Sequence, residues 1–143
     1  MINSNSQIFI RARRTQYPAK TASSRVWNRL LGLAEKLNVP VILTNLIDCG
    51  AEGFSVKYNG RIFIAIESNL SKRKRNVVLA HELGHIQKRH LDIANFALYK
   101  IDHNYSSKFE REAERFCQKL IRLIERRNRS EAFSDNNPGN ECA

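Results

Sequence analysis

The chain has 143 residues, enough for one domain with a sizeable hydrophobic core. No internal repeat and no apolar run long enough for a membrane helix or signal peptide is visible, so we expect a cytoplasmic protein without a membrane partner. Its 24 Lys and Arg residues outnumber its 14 Asp and Glu residues, and the resulting charge of +10 is common in proteins that contact nucleic acid or an acidic partner. An odd number of cysteines, 3, fits a reducing compartment better than a disulfide framework.

The first predicted elements are a basic arm, an amphipathic helix and a strand. Residues 1–20 form the arm, which is rich in Arg and Lys and contains no acidic side chain. Within the arm, the apolar run Ile8-Phe9-Ile10 could add a strand to a sheet. Residues 23–37 carry apolar side chains at helical spacing and predict a helix, and residues 39–43 predict the next strand.

A β-hairpin is predicted from two β-rich runs, residues 54–58 and 61–66, which are separated by Asn59-Gly60. Asn-Gly is the strongest short hairpin signal, because both residues tolerate the positive φ angles of a tight turn. We therefore expect two antiparallel strands before the next helix.

That helix contains the motif HExxH, formed by His81, Glu82 and His85 within an apolar run. Residues four apart on a helix share one face, so the two histidines can offer imidazole nitrogens to one tetrahedral ion. Glu82 would lie beside the ion, where it could take a proton from a water that zinc has acidified. The motif predicts one Zn²⁺ per chain with Glu82 as the catalytic base. The alternative is a core helix whose histidines have structural partners.

The third metal ligand is not supplied by the residues that directly follow the motif. In the extended motif HExxHxxGxxH, Lys88 stands at the position of the glycine and Leu91 at that of the third histidine. On a continued helix His90 would lie about 180° around the axis from His81, and it would therefore face away from the ion.

A downstream amphipathic helix, predicted at residues 108–126, carries three glutamates on its first turns. Glu110 flanks the apolar stripe and is the preferred third ligand, with Glu112 on the other flank as the runner-up. Glu114 could accept a hydrogen bond from the N–H group of a ligand histidine. For all three residues the alternative is an ordinary solvated glutamate near a helix N-terminus.

The two helices together resemble those of the ImmA/IrrE zinc metallopeptidases of bacteria, phages and integrative elements. Residues 76–85, NVVLAHELGH, are similar to the family's LAHELGH helix, and residues 110–116, EREAERF, are similar to its ExEAnxF helix. The resemblance assigns zinc binding to the two motif histidines, base catalysis to Glu82, and the third ligand to Glu110 or Glu112.

The resemblance also implies a fold and a substrate. We expect an α+β, zincin-like minimal metallopeptidase at residues 21–127, in which a small antiparallel or mixed sheet with the hairpin packs on the HExxH helix and a downstream ligand helix. Family members act on helix-turn-helix repressors of stress responses or mobile elements. Glu114 stands where the family usually has Asn or Asp. Residues 128–143 are polar and turn-rich and predict a disordered tail.

The second strand of the hairpin is a candidate for substrate binding, because an edge strand in zincins generally holds substrate in extended form. Its residues are Arg61, Ile62, Phe63, Ile64, Ala65 and Ile66. A plain structural hairpin is the alternative.

A basic patch at the start of the HExxH helix could contact nucleic acid or a partner non-specifically. Its residues are Lys72, Arg73, Lys74 and Arg75. A solvated charged face is the alternative.

The leading prediction is a zinc-dependent endopeptidase that cleaves a DNA-binding repressor at a specific site. Tyr99, His103 and Tyr105, between the two motif helices, are candidates for stabilising the oxyanion, and for each the alternative is an ordinary loop residue. The alternative is a non-catalytic, zinc-stabilised basic module that binds a protein or nucleic acid. Glu82 favours the enzyme, because a structural zinc site has no use for a base. A toxin-like hydrolase, or a peptidase of a toxin–antitoxin pair, would use the same residues.

Overall fold

The structure is a computed structural model, and it describes residues 10–12, 21–94, 96–100 and 107–135. These residues form an α+β domain. The elements in chain order are β1 (Ile10–Arg11), α1 (Ala22–Lys36), β2 (Val41–Thr44), a 3-10 turn (Ile47–Cys49), β3 (Ala51–Tyr58), β4 (Arg61–Glu67), α2 (Lys72–Gln87), α3 (Leu91–Ala94), β5 (Phe96–Lys100) and α4 (Lys108–Asp135).

The strands form one mixed sheet in the order β1-β2-β4-β3-β5. β2 runs parallel to β4, and the other neighbouring pairs are antiparallel. The predicted hairpin is confirmed as β3 and β4, with Tyr58 opposite Arg61. Asn59 and Gly60 have φ angles of 48° and 74°, which a type I′ turn requires at both central positions.

The predicted substrate-binding strand, residues 61–66, is a central strand of the sheet, which contradicts this prediction. Ile64, Ala65 and Ile66 pair with β2 on one side and with β3 on the other, so their backbone groups are already used. A peptide cannot add to this strand over the predicted length, because a new strand needs a free row of N–H and C=O groups. Residues 61–66 are a structural core strand instead.

The sheet supports α2, which is the most buried helix of the described part. α2 begins after Ser71, whose hydroxyl accepts a hydrogen bond from Lys74 N over 3.2 Å as an N-cap. It contacts the sheet through β3, β4 and β5, and it also packs against α1 and α4. The core between these elements includes Leu30, Leu31, Ile64, Ile66, Val78, Leu79 and Leu83.

α4 is longer than predicted and extends to Asp135. Residues 128–135 were predicted to belong to a disordered tail, and that prediction is wrong. Asn128 is buried, and its Oδ1 accepts a hydrogen bond of 2.7 Å from Arg29 Nε of α1. This contact fixes the last turns of α4 against α1. The rest of the predicted tail, residues 136–143, lies outside the described residues.

The predicted basic arm is described only in part. Ile10 and Arg11 form β1 and pair with Leu43 and Ile42 of β2. The last residue of the predicted apolar run, Ile10, thus lies in a strand. Residues 1–9 and 13–20 lie outside the described residues. Among the helices that are described, none combines the length and the apolar character needed to cross a membrane.

Candidate metal centre

α2 places the two motif histidines side by side in the protein interior. His81 is 0% exposed and His85 is 1% exposed. Their Nε2 atoms are 3.2 Å apart, because residues separated by one helical turn lie above one another on the same face. The two ring nitrogens therefore point to one common position.

Glu110 reaches that position from the first turn of α4. Its carboxylate oxygens lie 3.0 Å from His81 Nε2 and 3.3 Å from His85 Nε2. One ligand atom from each of the three residues lies within 4.8 Å of the other two, the arrangement of a metal site. Glu112 is not part of this group, since its carboxylate lies 2.9 Å from His90 Nε2 instead.

The arrangement of these atoms fits a tetrahedral zinc ion. Ligand atoms about 2.0–2.1 Å from zinc at tetrahedral angles lie about 3.3 Å from one another. The two Nε2 atoms are 3.2 Å apart, close to that value, and each lies 3.0 or 3.3 Å from one of the two carboxylate oxygens of Glu110. Two imidazole nitrogens and one carboxylate are also a donor set of catalytic zinc sites, which keep the fourth position open for water or substrate. His81, His85 and Glu110 could thus hold one Zn²⁺.

The first histidine is oriented by a carboxylate. Glu114 Oε2 lies 3.3 Å from His81 Nδ1. If Nδ1 carries the proton and donates to this carboxylate, Nε2 keeps its lone pair for a metal. Glu114 has the position that was predicted for a partner of a ligand histidine.

The second histidine is oriented by a chain of two residues that the sequence did not reveal. His85 Nδ1 lies 3.0 Å from His90 Nδ1, and His90 Nε2 lies 2.9 Å from Glu112 Oε2. Only one proton arrangement leaves His85 Nε2 free for a metal: His85 Nδ1–H donates to His90, and His90 Nε2–H donates to Glu112. The ring of His90 is buried and stacks on Phe109, with centroids 4.4 Å apart.

His90 contacts His85 because α2 ends earlier than the predicted continuous helix. The helix stops at Gln87, and Arg89 adopts a positive φ of 60°. The chain therefore turns back towards the helix, and His90 N donates a hydrogen bond of 2.9 Å to His85 O. A non-glycine residue with positive φ has no strong sequence signal, so the turn could not be predicted.

Glu82 lies beside the candidate ligands and is 0% exposed. Its Oε2 accepts a hydrogen bond of 2.6 Å from the hydroxyl of Ser55, a buried residue of β3. Its Oε1 has no hydrogen-bond partner among the described residues. Burial raises the pKa of Glu82 to about 8, although the Ser55 hydroxyl and His81 act in the opposite direction. A buried carboxyl oxygen without a partner next to three metal-type ligands is suited to bind a reacting water.

The charges of the site also shift the pKa values of the three candidate ligands. Burial alone would lower the pKa of His81, but Glu110, Glu82 and Glu114 outweigh it and raise that pKa. The pKa of His85 is lowered, mainly by burial. For Glu110, burial is outweighed by hydrogen bonds from the two histidines, which lower its pKa to about 2. Glu110 is therefore ionised, as a metal ligand must be.

Two glycines allow the elements of the site to approach one another closely. A Cβ atom on Gly84 would lie 2.9 Å from the backbone oxygen of Ala113 and 3.1 Å from its Cα, so this glycine brings α2 into contact with α4. A Cβ atom on Gly53 of β3 would lie 2.4 Å from a methyl group of Val78. The glycine of the HELGH motif thus has a packing role that positions Glu110.

The predicted basic patch does not form one continuous surface. Lys74 Nζ lies 3.3 Å from Glu52, and the Arg75 guanidinium lies over the ring of Trp27 at 5.3 Å from its centroid. Lys72 and Arg73 are exposed. The predicted oxyanion candidates His103 and Tyr105, and the side chain of Tyr99, lie outside the described residues.

Comparison with protein families matches residues 34–132 to the peptidase M78 family, described as the IrrE N-terminal-like domain. The matched region contains both motifs and the strands β2 to β5. Neither the curated proteins nor the solved structures give a match to the chain. Because the match covers well over half of the chain, the family suggested by the two motifs is confirmed, and the protein belongs to the ImmA/IrrE-type peptidases of family M78.

Proposed function

We propose that the protein is a zinc-dependent endopeptidase with His81, His85 and Glu110 as zinc ligands and Glu82 as general base. The observation that carries the proposal is the convergence of the three ligand-type groups beside the unpartnered Oε1 of Glu82. A structural zinc site would be closed by a fourth protein ligand. In the described residues the cluster contains three such groups, which leaves a position for water or substrate.

The residues of the site have separate roles in peptide hydrolysis. A zinc ion held there supplies Lewis-acid activation of water and of the scissile carbonyl group. Glu82 accepts a proton at Oε1 from the attacking water and later donates it to the leaving amine. The Ser55 hydroxyl holds the other carboxylate oxygen, so that Oε1 faces the reacting atoms. Glu114 and the His90–Glu112 pair keep the protons of the ligand histidines on Nδ1.

The proposed substrate site is the edge of the sheet formed by β5 (Phe96–Lys100), rather than β4. β5 is the last strand of the described sheet, next to β3, and it contacts α2. An extended peptide that adds to β5 would therefore lie at the end of the sheet where β3 and Ser55 are found. This mode of binding uses backbone hydrogen bonds for affinity and side-chain pockets for specificity.

The proposed substrate is a helix-turn-helix transcriptional repressor in the cytoplasm, cleaved at a specific site. This choice follows from the family resemblance, in which such repressors of stress responses or mobile elements are substrates. The charge of +10 supports it, because a basic enzyme is attracted to DNA on which a repressor is bound.

The alternative function, a non-catalytic zinc-stabilised module, is disfavoured by the burial of Glu82. A carboxyl group that is 0% exposed and has one oxygen without a partner destabilises the fold, and a binding module gains nothing from it. Such strained polar groups are found at catalytic sites.

The test is cleavage of the cognate repressor by zinc-loaded wild-type protein and by Glu82→Gln. The variant keeps the shape of the side chain and the zinc ligands, so we expect one zinc per chain in both proteins and a rate at least about 1,000-fold lower in the variant. Glu125→Gln, an exposed change on α4, is the matched control and should cleave at the wild-type rate. Equal rates for Glu82→Gln and wild type would reject Glu82 as the base, and the absence of zinc from both would reject the metal site.

A further inference from the structure

The exposed face of α4 carries a continuous row of cations. At about 100° per residue, these side chains lie within about 80° of the helix circumference. We call this row the α4 stripe, and its members are Lys108, Arg111, Arg115, Lys119, Arg122, Arg126 and Arg129. Every residue of α4 in this arc, from the first member to the last, is Lys or Arg, and each is exposed.

We propose that the α4 stripe binds the phosphate backbone of double-stranded DNA. The row extends over about 32 Å at 1.5 Å per residue. That length is close to one turn of the DNA double helix, about 34 Å. A duplex presents about one negative charge for every 1.7 Å of its axis, so the row would lie in a strongly negative potential along its whole length.

The α4 stripe lies on the solvent side of a helix whose opposite side is held by the core. The opposite face of the helix is buried through Ala113, Cys117 and Ile124, so the helix is held rigidly by the core. Because the helix backbone is already ordered, binding has to order only the side chains of the row. Arg73 of α2 and Arg122 of the stripe line the same pocket of about 510 Å³, so the exposed part of the α2 basic patch adjoins the row.

The composition of the stripe favours a DNA duplex over other polyanions. A helix that binds a membrane surface needs an apolar face, whereas the only apolar residue in the described arc is Phe133 near its end. Proteins that bind single strands stack successive bases on several aromatic rings, and one ring cannot do this. The surface presents no pocket for a particular base, so binding should be insensitive to DNA sequence.

The experiment is fluorescence anisotropy of a labelled 20-base-pair DNA duplex with the zinc-loaded full chain at several salt concentrations. We expect a plot of log K against log salt with a slope of about −4 to −6, since each phosphate contact contributes about −0.9 and the steeper limit corresponds to contacts by all seven cations. The double variant Arg115→Gln/Arg122→Gln should bind at least about tenfold more weakly, with a slope nearer zero by about 2.

The matched control is Arg11→Gln/Arg61→Gln, which removes two exposed charges of the sheet that line neither pocket beside the α4 stripe. We expect the control to bind DNA within about twofold of wild type, and all three proteins to share one melting temperature. Equal weakening by both double variants would overturn the proposal, because net charge alone would then explain the affinity. Tighter binding to the single strand, to anionic vesicles or to polyglutamate than to the duplex would also overturn it.

Discussion

Ser55 and Glu82 are joined by a hydrogen bond of 2.6 Å from the serine hydroxyl to carboxylate Oε2, which connects β3 to α2 inside the buried site. The hydroxyl is the only described donor to this carboxylate. It stabilises the ionised form of Glu82, although burial still keeps the pKa at about 8.

Replacement of Ser55 by alanine is expected to raise the pKa of Glu82 further, by about one unit. Glu82 must be ionised to accept a proton, so a higher pKa lowers activity at neutral pH and restores it at higher pH. The acid limb of kcat/KM against pH should therefore move to higher pH, with unchanged zinc content. Ser134→Ala, an exposed change at the end of α4, is the control. An acid limb that stays in place in Ser55→Ala would contradict the role of the hydroxyl.

Glu110 and Glu112 should differ clearly in their effect on zinc binding. Glu110→Ala removes a proposed ligand and should lower zinc affinity at least about 100-fold, whereas Glu112→Ala removes only the partner of His90 and should lower it about tenfold. Competition with a chromogenic chelator measures both affinities, and Glu125→Ala on the exposed side of α4 provides the control. A larger loss in Glu112→Ala than in Glu110→Ala would reverse the assignment.

His90 is expected to act through His85 and not as a ligand. His90→Ala leaves the Nδ1 proton of His85 without its acceptor, so zinc affinity should fall about 10–100-fold while one zinc per chain is still bound at saturation. His90→Gln can accept the same hydrogen bond and should recover part of the loss. Unchanged affinity in His90→Ala would show that the His85 tautomer does not depend on this contact.

The two packing glycines should respond differently to compensating changes. Gly84→Ala places a methyl group against the backbone of Ala113, so Ala113→Gly should not restore the melting temperature or zinc affinity. Gly53→Ala meets a side-chain methyl group of Val78, so Val78→Ala should restore part of the stability. Thermal unfolding of the two single and two double variants provides the comparison. Rescue of Gly84→Ala by Ala113→Gly would mean that α4 can shift away from α2 without loss of the site.

Glu67 should make the fold sensitive to acid. Burial would raise the pKa of Glu67, but N–H groups of Leu46, Asn69 and Ile47 and the Ser68 hydroxyl donate to its carboxylate, and together they hold the pKa below its ordinary value. The folded protein therefore binds the proton of this group more weakly than the unfolded chain does. Its stabilising effect is complete above the ordinary glutamate pKa and is lost as pH falls through the lowered value in the folded state.

The corresponding variant, Glu67→Gln, should lower the free energy of unfolding at pH 7 by about 1–3 kcal/mol, because the donors lose an ionised acceptor. The difference from wild type should shrink as pH falls below about 4. Urea unfolding at several pH values measures it, with Glu125→Gln as the control. A difference that is constant from pH 7 to pH 3 would show that the effect does not arise from ionisation.

Local patterns predicted a large part of the fold and the candidate site. The Asn59-Gly60 turn and the HExxH helix depend on residues that are close in sequence, and the structure contains both. The position of Glu110 beside the apolar stripe of the downstream helix was also enough to prefer it over Glu112 as the neighbour of the two histidines. Each of these inferences depends on residue types and spacings within a single turn or helix.

The features that the sequence did not predict depend on contacts between distant elements. The central position of β4 results from its parallel pairing with β2, and a pattern within residues 61–66 cannot reveal a second neighbour. The last turns of α4 look like a polar tail until Arg29 of α1 bonds to Asn128. His90 lies at the site because Arg89 has a positive φ angle. Ser55 lies there because β3 packs against α2.

The close contact of Gly84 with the backbone of Ala113 would connect the proposed metal binding to the dynamics of the protein. Two proposed ligands belong to α2 and the third to α4, so an ion bound by all three restrains the separation of the two helices. Zinc should therefore slow amide hydrogen exchange in the first turns of α4 and raise the melting temperature in proportion to the logarithm of its free concentration. A cell that withholds zinc would then reduce both the activity of this peptidase and its lifetime.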